Sequence, residues 1–302
     1  MTVHTPAAAA RQAAIAARGR GREKTTSSII FLVLLWLSLL VAFATLVTLI
    51  VTTLDAGWER LDSRLITEYP SSRFEEAGAR PAIIGSLWVI GTTAALAIPL
   101  GVAAAVHLEE FADRNHWFNR VVELNIQNLS AIPSIIYGML ALGILSLVGV
   151  VNKNIVLGGA LALALLILPV IIIATRESLR AVPRELRQGS LALGATELQT
   201  TWRITLPSAV PGIATGTILA LSRALGEAAP LLLLGALVFI SFDPNGLLSG
   251  FTTMPIQIFA WTSAPQQGFR DLAAAVSILL VGILLLMNAL AIIIRNRYQR
   301  RW

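Results

Sequence analysis

The chain has 302 residues, of which 56% are hydrophobic and only 13% charged, with a formal net charge of +6 and a mean hydropathy of +0.74. Soluble domains carry about 25% charged residues, so this composition excludes an ordinary soluble domain and points to a membrane protein. With no cysteine and three scattered histidines (His4, His107 and His116), the chain offers no disulfide, thiolate nucleophile or zinc set; no nucleophile–base pair indicates an enzyme, and the basic residues sit beside apolar runs, where they read as topology signals rather than nucleic-acid contacts.

Residues 1–28 form an Ala- and Arg-rich tail. Within it, Gly19-Arg20-Gly21-Arg22-Glu23-Lys24-Thr25 lacks the glycine that precedes the lysine of a phosphate loop and follows no strand, so it is not read as one. The uncharged run 29–53 is too long for the apolar core of a secretory signal, roughly 7–15 residues. No small-residue cleavage site follows it, and a retained first transmembrane helix is predicted. After a loop at 54–82, five more segments, 83–106, 126–150, 155–175, 211–240 and 271–294, supply the roughly 20 apolar residues that a bilayer requires. A basic tail, 295–302, closes the chain. Six spans put both ends on one side. That side carries sixteen Lys and Arg, against six on the other (Arg60, Arg64, Arg73, Arg80, Lys153 and Arg270). The bias predicts an all-α integral membrane protein with six transmembrane helices, both termini cytoplasmic and the loop 54–82 outside.

Loop 176–210 is the most structured cytoplasmic segment. Pro183 suits the start of a helix, where its missing N–H costs nothing, Glu185 favours the dipole of that first turn, and Gly194 is a natural stop. Thr196-Glu197-Leu198-Gln199 fits a capping box for a second helix, ended by Leu206-Pro207.

Charges inside the spans need an explanation, since each costs on the order of 2.5–3.5 kcal/mol on insertion scales. Arg223 and Glu227 lie in the fifth span, four residues apart and so on one helical face. Counted from Pro211, Arg223 is about 18 Å along a helix rising 1.5 Å per residue, slightly past the midplane. Two readings stand open. The pair lines a translocation pathway, where a guanidinium gives an oxyanion paired, charge-assisted donors and Glu227 tunes the affinity; or it is a structural ion pair. Arg176, at the end of the fourth span, reads either as a second anion contact at an inner vestibule or as a topology anchor. Pro99, Pro133 and Pro230 fall within spans and predict kinks, with Pro133 and Pro230 as candidate gating points. Ser130, Ser134 and Tyr137 form a polar stripe on the third helix, suited to a pore lining or to helix packing.

The spacing Gln188-Gly189-Ser190, three residues, Gly194, nine residues, Ile204-Thr205-Leu206-Pro207 resembles the EAA loop of ABC importer permeases, although Gln, Gly and Ser stand where that loop has Glu, Ala and Ala. Ala131-Ile132-Pro133-Ser134-Ile135-Ile136-Tyr137-Gly138, Gly226-Glu227-Ala228-Ala229-Pro230-Leu231-Leu232 and Met254-Pro255-Ile256-Gln257-Ile258 are similar to the phosphate-specific (Pst) permeases, the second favouring the PstA branch over PstC. The resemblance covers roughly 83–294. It implies a type I ABC importer permease core over 83–294, and an ATPase-coupling role for Gln188, Gly189, Ser190, Gly194, Ile204, Leu206 and Pro207. It also implies transport roles for Arg223 and Glu227 and, through Ala174-Thr175-Arg176-Glu177-Ser178-Leu179, for Arg176. No cofactor is expected on the chain itself, ATP and Mg being held by a partner ATPase. The implied partners are a PstC-like paralogous permease, a PstB-like ATPase dimer, a PstS-like extracytoplasmic phosphate-binding protein and membrane lipid, with no nucleic acid. The implied setting is a bacterial plasma membrane. Phosphate is the implied cargo; molybdate or sulfate is the alternative within the class, and a secondary transporter the alternative outside it.

Overall fold

The computed structural model describes residues 26–113, 116–236 and 239–298. Most of the proposed tail 1–28, including the segment 19–25, lies outside the described residues, as do Arg114 and the end of the tail 295–302. The chain separates into two units, 1–52 and 53–302. In the first, the described residues belong to helix α1 (Thr26–Gly57), whose apolar side chains from Ile29 to Val51 are exposed around the helix. Water would penalise such a surface and hydrocarbon does not. The hydroxyls of Ser38, Thr45, Thr48 and Thr52 donate to backbone carbonyls three or four residues back, at 2.8–2.9 Å. They therefore need no partner outside the helix.

The second unit begins with short elements, among them α2 (Ser63–Thr67), capped by Asp62, whose carboxylate accepts from the Leu65 amide at 3.0 Å. Helix α3 (Arg80–Val106) starts with Pro81 in its first turn and runs on through a π turn, His107–Phe111. Helices α4 (Trp117–Leu129) and α5 (Ser134–Leu147) follow, and then α6 (Val156–Arg180), the most enclosed helix of the bundle. The buried stripe of α3, Gly85, Val89, Thr93, Ala97, Gly101 and Ala105, recurs every four residues. Its small side chains let α3 lie close against α6, the most extensive helix contact in the structure. Thr93 donates across the seam to the Ala160 carbonyl at 3.3 Å, and Gly101 faces Ile171. The two contacts advance together along both helices, so α3 and α6 run parallel.

Past α6 the chain folds into an elbow of two short helices, α7 (Arg184–Ala192) and α8 (Glu197–Thr200), then a π turn, Thr201–Thr205, and α9 (Leu206–Leu225). Gly212 faces Ser178 and Gly216 faces Ala174, so α9 runs antiparallel to α6 through a Gly-x-x-x-Gly seam. The remaining helices are α10 (Ala229–Leu233), α11 (Met254–Thr262) and α12 (Gln267–Tyr298); α12 packs on α9 and α11. At the end of the bundle away from the elbow, Asp243 accepts from Arg80 at 2.7 Å and from the Tyr69 hydroxyl at 3.2 Å, with the Arg80 guanidinium over the Tyr69 ring. Among the described residues, five helices are long and apolar enough to cross a membrane, and there are six if the bent pair of α4 and α5 is counted as one span. The six-span reading stands, with three corrections.

The third span is not one helix over 126–150. Residues α4 and α5 contribute meet at a bend of 116°. Pro133 is the N-cap of α5, with φ −54° and ψ 135°, rather than a kink inside a helix, because a proline disfavours helical backbone in the residue before it. Nor is the fifth span continuous over 211–240: α9 ends at Leu225, Gly226 caps it, and Pro230 sits in the first turn of the separate α10. Pro230 thus removes no bond from a running helix. Pro207 does not end the second elbow helix either. The backbone passes from α8 through the π turn into α9 as one span, Glu197–Leu225, with Pro207 in the first turn of α9. Pro99, by contrast, does lie inside α3.

A side chain at Gly216 would place its Cβ 2.5 Å from the Ala174 Cβ, whereas Gly91 has open space around it. Gly216→Leu should therefore lower the thermal midpoint in detergent by an amount worth about 1–3 kcal/mol of overpacking. Gly91→Ala should leave it unchanged.

Candidate functional site

The break between α9 and α10 carries the two charges of the fifth span. Arg223 is in the last turn of α9, and Glu227 is just beyond the Gly226 cap. Their closest approach, Nε to Oε1, is 3.8 Å, with side-chain exposures of 50% for Arg223 and 23% for Glu227. This is a loose pair, and the guanidinium retains donors for another acceptor. The position follows from packing. Gly216 lies level with Ala174, so Arg223 lies about 10 Å further along, at 1.5 Å per residue, near residue 167 and hence near the middle of α6. Polar groups at mid-depth are tolerated where they line a protein cavity or an aqueous path, and discontinuous helices with charged ends at that depth are typical of transporter sites.

Around the break, Tyr137 packs in the same buried cluster as Ala224 and Leu231, and Gly138 lies directly against the Pro230 backbone. The Tyr137 hydroxyl donates to the Leu129 carbonyl and ties α5 back to the end of α4. The stripe read from Ser130, Ser134 and Tyr137 is therefore divided. Ser130 belongs to the bend, where its hydroxyl donates to Gln127, Ser134 is half-buried, and Tyr137 is buried and structural.

Arg176 has a different setting. Its Nε donates to Glu109 at 3.1 Å and its Nη2 to Glu123 at 2.9 Å, with the side chain only 11% exposed. Arg180 donates from Nε to the other Glu109 oxygen at 2.9 Å and pairs with Glu177 at 3.3 Å. The Glu109 side chain is 2% exposed. The structure does not bring Arg176 to Arg223: Arg176 is level with the stretch between Gly212 and Gly216, roughly 14 Å of helix rise below Arg223. The geometry is that of a buried ion cluster rather than an open anion contact. Sequence reading missed Glu109, Glu123, Arg180 and Arg187 as partners. The available signal was the doublet Glu109-Glu110 directly after an apolar run, opposite arginines spaced by four at 176 and 180.

The elbow follows its sequence closely. Gly194 has φ +86°, its amide donates to Leu191, and the Ala195 amide donates to Ser190, the paired bonds of a Schellman stop. The Thr196 hydroxyl accepts from the Gln199 amide at 3.2 Å, and the Gln199 side chain accepts from the Thr196 amide at 3.0 Å. The hydroxyls of Ser190 and Thr200 meet at 2.9 Å and brace the corner. Gln188 and Gly189 face outward on α7, Ile204 lies in the π turn, and Leu206 and Pro207 open α9. Leu193 at the tip is 91% exposed and Leu198 is 56% exposed. An apolar tip on a rigid corner is a surface suited to docking. No group of three or more His, Cys, Asp or Glu side chains suited to a metal occurs among the described residues.

A bundle of this kind, with a charged break at mid-depth and a braced elbow at one end, defines a class of membrane transport component. Residues 97–302 match the model of the binding-protein-dependent transport system inner membrane components. The probable ABC transporter permease protein YqgI of Bacillus subtilis is 35% identical over 67% of this chain and 68% of its own length. The phosphate transport system permease protein PstA of Pasteurella multocida is 33% identical over 80% of this chain and 84% of its own. Among solved structures, the bacterial alginate ABC transporter in complex with a pentasaccharide-bound periplasmic protein includes a chain that aligns with a TM-score of 0.62 at 16% identity, covering 92% of this chain and 99% of that one. The chain belongs to the inner membrane components of binding-protein-dependent transport systems and, among them, to the PstA-type permeases.

The two arginines should separate by experiment. Arg176→Gln leaves the buried Glu109 carboxylate with Arg180 alone and takes the nearest cation from the part-exposed Glu123; it should cost up to roughly 3 kcal/mol, seen as a clear fall in the thermal midpoint in detergent. Arg223→Gln removes a half-exposed, loosely paired group and should change stability by under about 1 kcal/mol.

Proposed function

We propose that this chain forms half of the membrane pathway of an ATP-driven phosphate importer in a bacterial plasma membrane. The observation that carries the reading is Arg223: a half-exposed guanidinium at mid-depth of an apolar bundle, held only loosely by Glu227. A group so placed needs protein or water against it rather than lipid, and this calls for a second permease across the pathway. The PstA name of the Pasteurella multocida relative supports phosphate as cargo. So does the chemistry, since a guanidinium offers paired donors in the plane a phosphate oxygen pair requires. A weak, transient site suffices if an external binding protein sets the affinity. Glu227, within reach of the same guanidinium, competes with the anion and favours its release.

The partners in this reading are a PstC-like permease facing Arg223, a PstB-like ATPase dimer beneath the elbow, and a PstS-like phosphate-binding protein at the opposite end. ATP and Mg are held by the ATPase, and no catalytic role falls to this chain. Gln188 and Gly189 on the outward side of α7, with the exposed Leu193 and Leu198, supply the contact with the ATPase. Gly194, Ile204, Leu206 and Pro207 shape the corner that delivers its motion to α9. The exposed apolar side chains of α1 suit a lipid setting.

In proteoliposomes holding the assembled complex, Arg223→Gln should abolish ATP-dependent uptake of labelled phosphate while assembly persists; near-normal uptake would make Arg223 structural only. Excess unlabelled phosphate should suppress the uptake far more than molybdate or sulfate, and indifference to phosphate would end the phosphate assignment. Gly194→Leu forces a side chain into the left-handed region, at about 1 kcal/mol or more. It should leave ATP hydrolysis running with little transport.

A further inference from the structure

The elbow and the transport site lie at different depths, and a layer of charges at the elbow end offers a physical connection between them. The π turn His107–Phe111 at the end of α3 carries two successive carboxylates. Consecutive helical side chains diverge by roughly 100°, so one can face α6 while the next faces the elbow. Glu109 takes the first direction and accepts from Arg176 and Arg180 of α6. Glu110 takes the second: its Oε1 lies 2.9 Å from Nη2 of Arg187 on α7, and the same Nη2 donates to the Leu179 carbonyl in the last turn of α6 at 2.7 Å. Arg176 adds Glu123 of α4 to the layer. Four elements, α3, α4, α6 and α7, are thus held in one charged plane.

From that plane the route continues upward. Helix α4 is tied through the Tyr137 hydroxyl to α5, and Gly138 of α5 abuts the Pro230 backbone, three residues past Glu227. Proline in the first turn of α10 and glycine on α5 leave no flexible side chain between the two backbones. A push on α5 is therefore felt at the break.

We infer that Glu110 and Arg187 are positioning residues that relay elbow movement into the helical bundle, with Glu109 as the buried anchor of the relay; this rests on the import function proposed above. Exposure assigns the two roles. Glu109 at 2% is too buried to lose its partners cheaply. Glu110 at 9% and Arg187 at 26% are less enclosed than Glu109, and theirs is the pair that reaches the elbow. Neither residue is within the mid-depth site.

The test uses the complete complex in proteoliposomes, with phosphate uptake and ATP hydrolysis read together. Glu110→Gln and Arg187→Gln should each lower phosphate moved per ATP at least about fivefold, the lower end of a typical coupling energy. Hydrolysis should stay near wild type, and the thermal midpoint should fall less than in Arg176→Gln. The exchange Glu110→Arg with Arg187→Glu should restore much of the coupling. Because the chain has no cysteine, Glu110→Cys with Arg187→Cys gives a second route: the open form should be uncoupled, and bridging the two thiols with a short bismaleimide should recover coupling in the same protein. Unchanged phosphate per ATP in the single variants, or a loss that neither exchange nor bridging reverses, overturns the relay. If Gly194→Leu uncouples the complex and Glu110→Gln does not, the relay fails and the import reading survives. Absence of ATP-dependent uptake in the unaltered complex removes the import reading itself.

Discussion

The bundle depends on a carboxylate in the wrong solvent. Glu109 is almost wholly enclosed, yet it accepts one hydrogen bond through each oxygen, from Arg176 and from Arg180. In a low-dielectric interior such a charge is stable only with its partners in place. The ends of α3 and α6 are therefore fixed to each other, and their parallel course from the Thr93–Ala160 bond to the ion cluster follows from contacts at both depths. Neutral stripes of glycine, alanine and threonine bring the helices close; the ion cluster sets their axial register.

The second organising feature is interruption. A membrane helix normally satisfies its backbone within itself, and the chain departs from that at two places that touch. One is the Ser130–Pro133 bend and the other is Gly226–Ala228, and Gly138 meets Pro230 just past both. Each interruption leads into a helix with a proline at its start, Pro133 as the N-cap of α5 and Pro230 in the first turn of α10. The charged residues of the fifth span stand at such an end, where unpaired backbone and ionised side chains share a polar setting.

Much of this was legible in the sequence because the signals were local. Apolar run length gave six spans; Pro183, Gly194 and the Thr196/Gln199 box marked the elbow to within a residue or two. Arg223 and Glu227 stood out because a charge in an apolar run has no trivial explanation. What failed was continuity. A run such as 211–240 stays apolar through Gly226 and Pro230, and hydropathy does not distinguish a helix from two helix pieces with a gap. Of the prolines read as kinks, Pro133 and Pro230 are beginnings and only Pro99 lies inside a helix, a difference that only the backbone on either side reveals. The cluster around Glu109 was missed for another reason: its members, at 109, 123, 176 and 180, come from three helical segments, and the Glu109-Glu110 doublet and the Arg176/Arg180 spacing do not say that they meet.

The seam between α9 and α6 has one more implication. Where Gly212 and Gly216 meet Ser178 and Ala174, α9 presents no side chain of its own, while Ile213 beside them packs in one buried cluster with Leu179. The glycines bring the two backbones near enough to resist separation. The neighbouring apolar side chains hold the lengthwise setting of the rod that carries Arg223, so that rod and α6 would travel as one piece over this stretch.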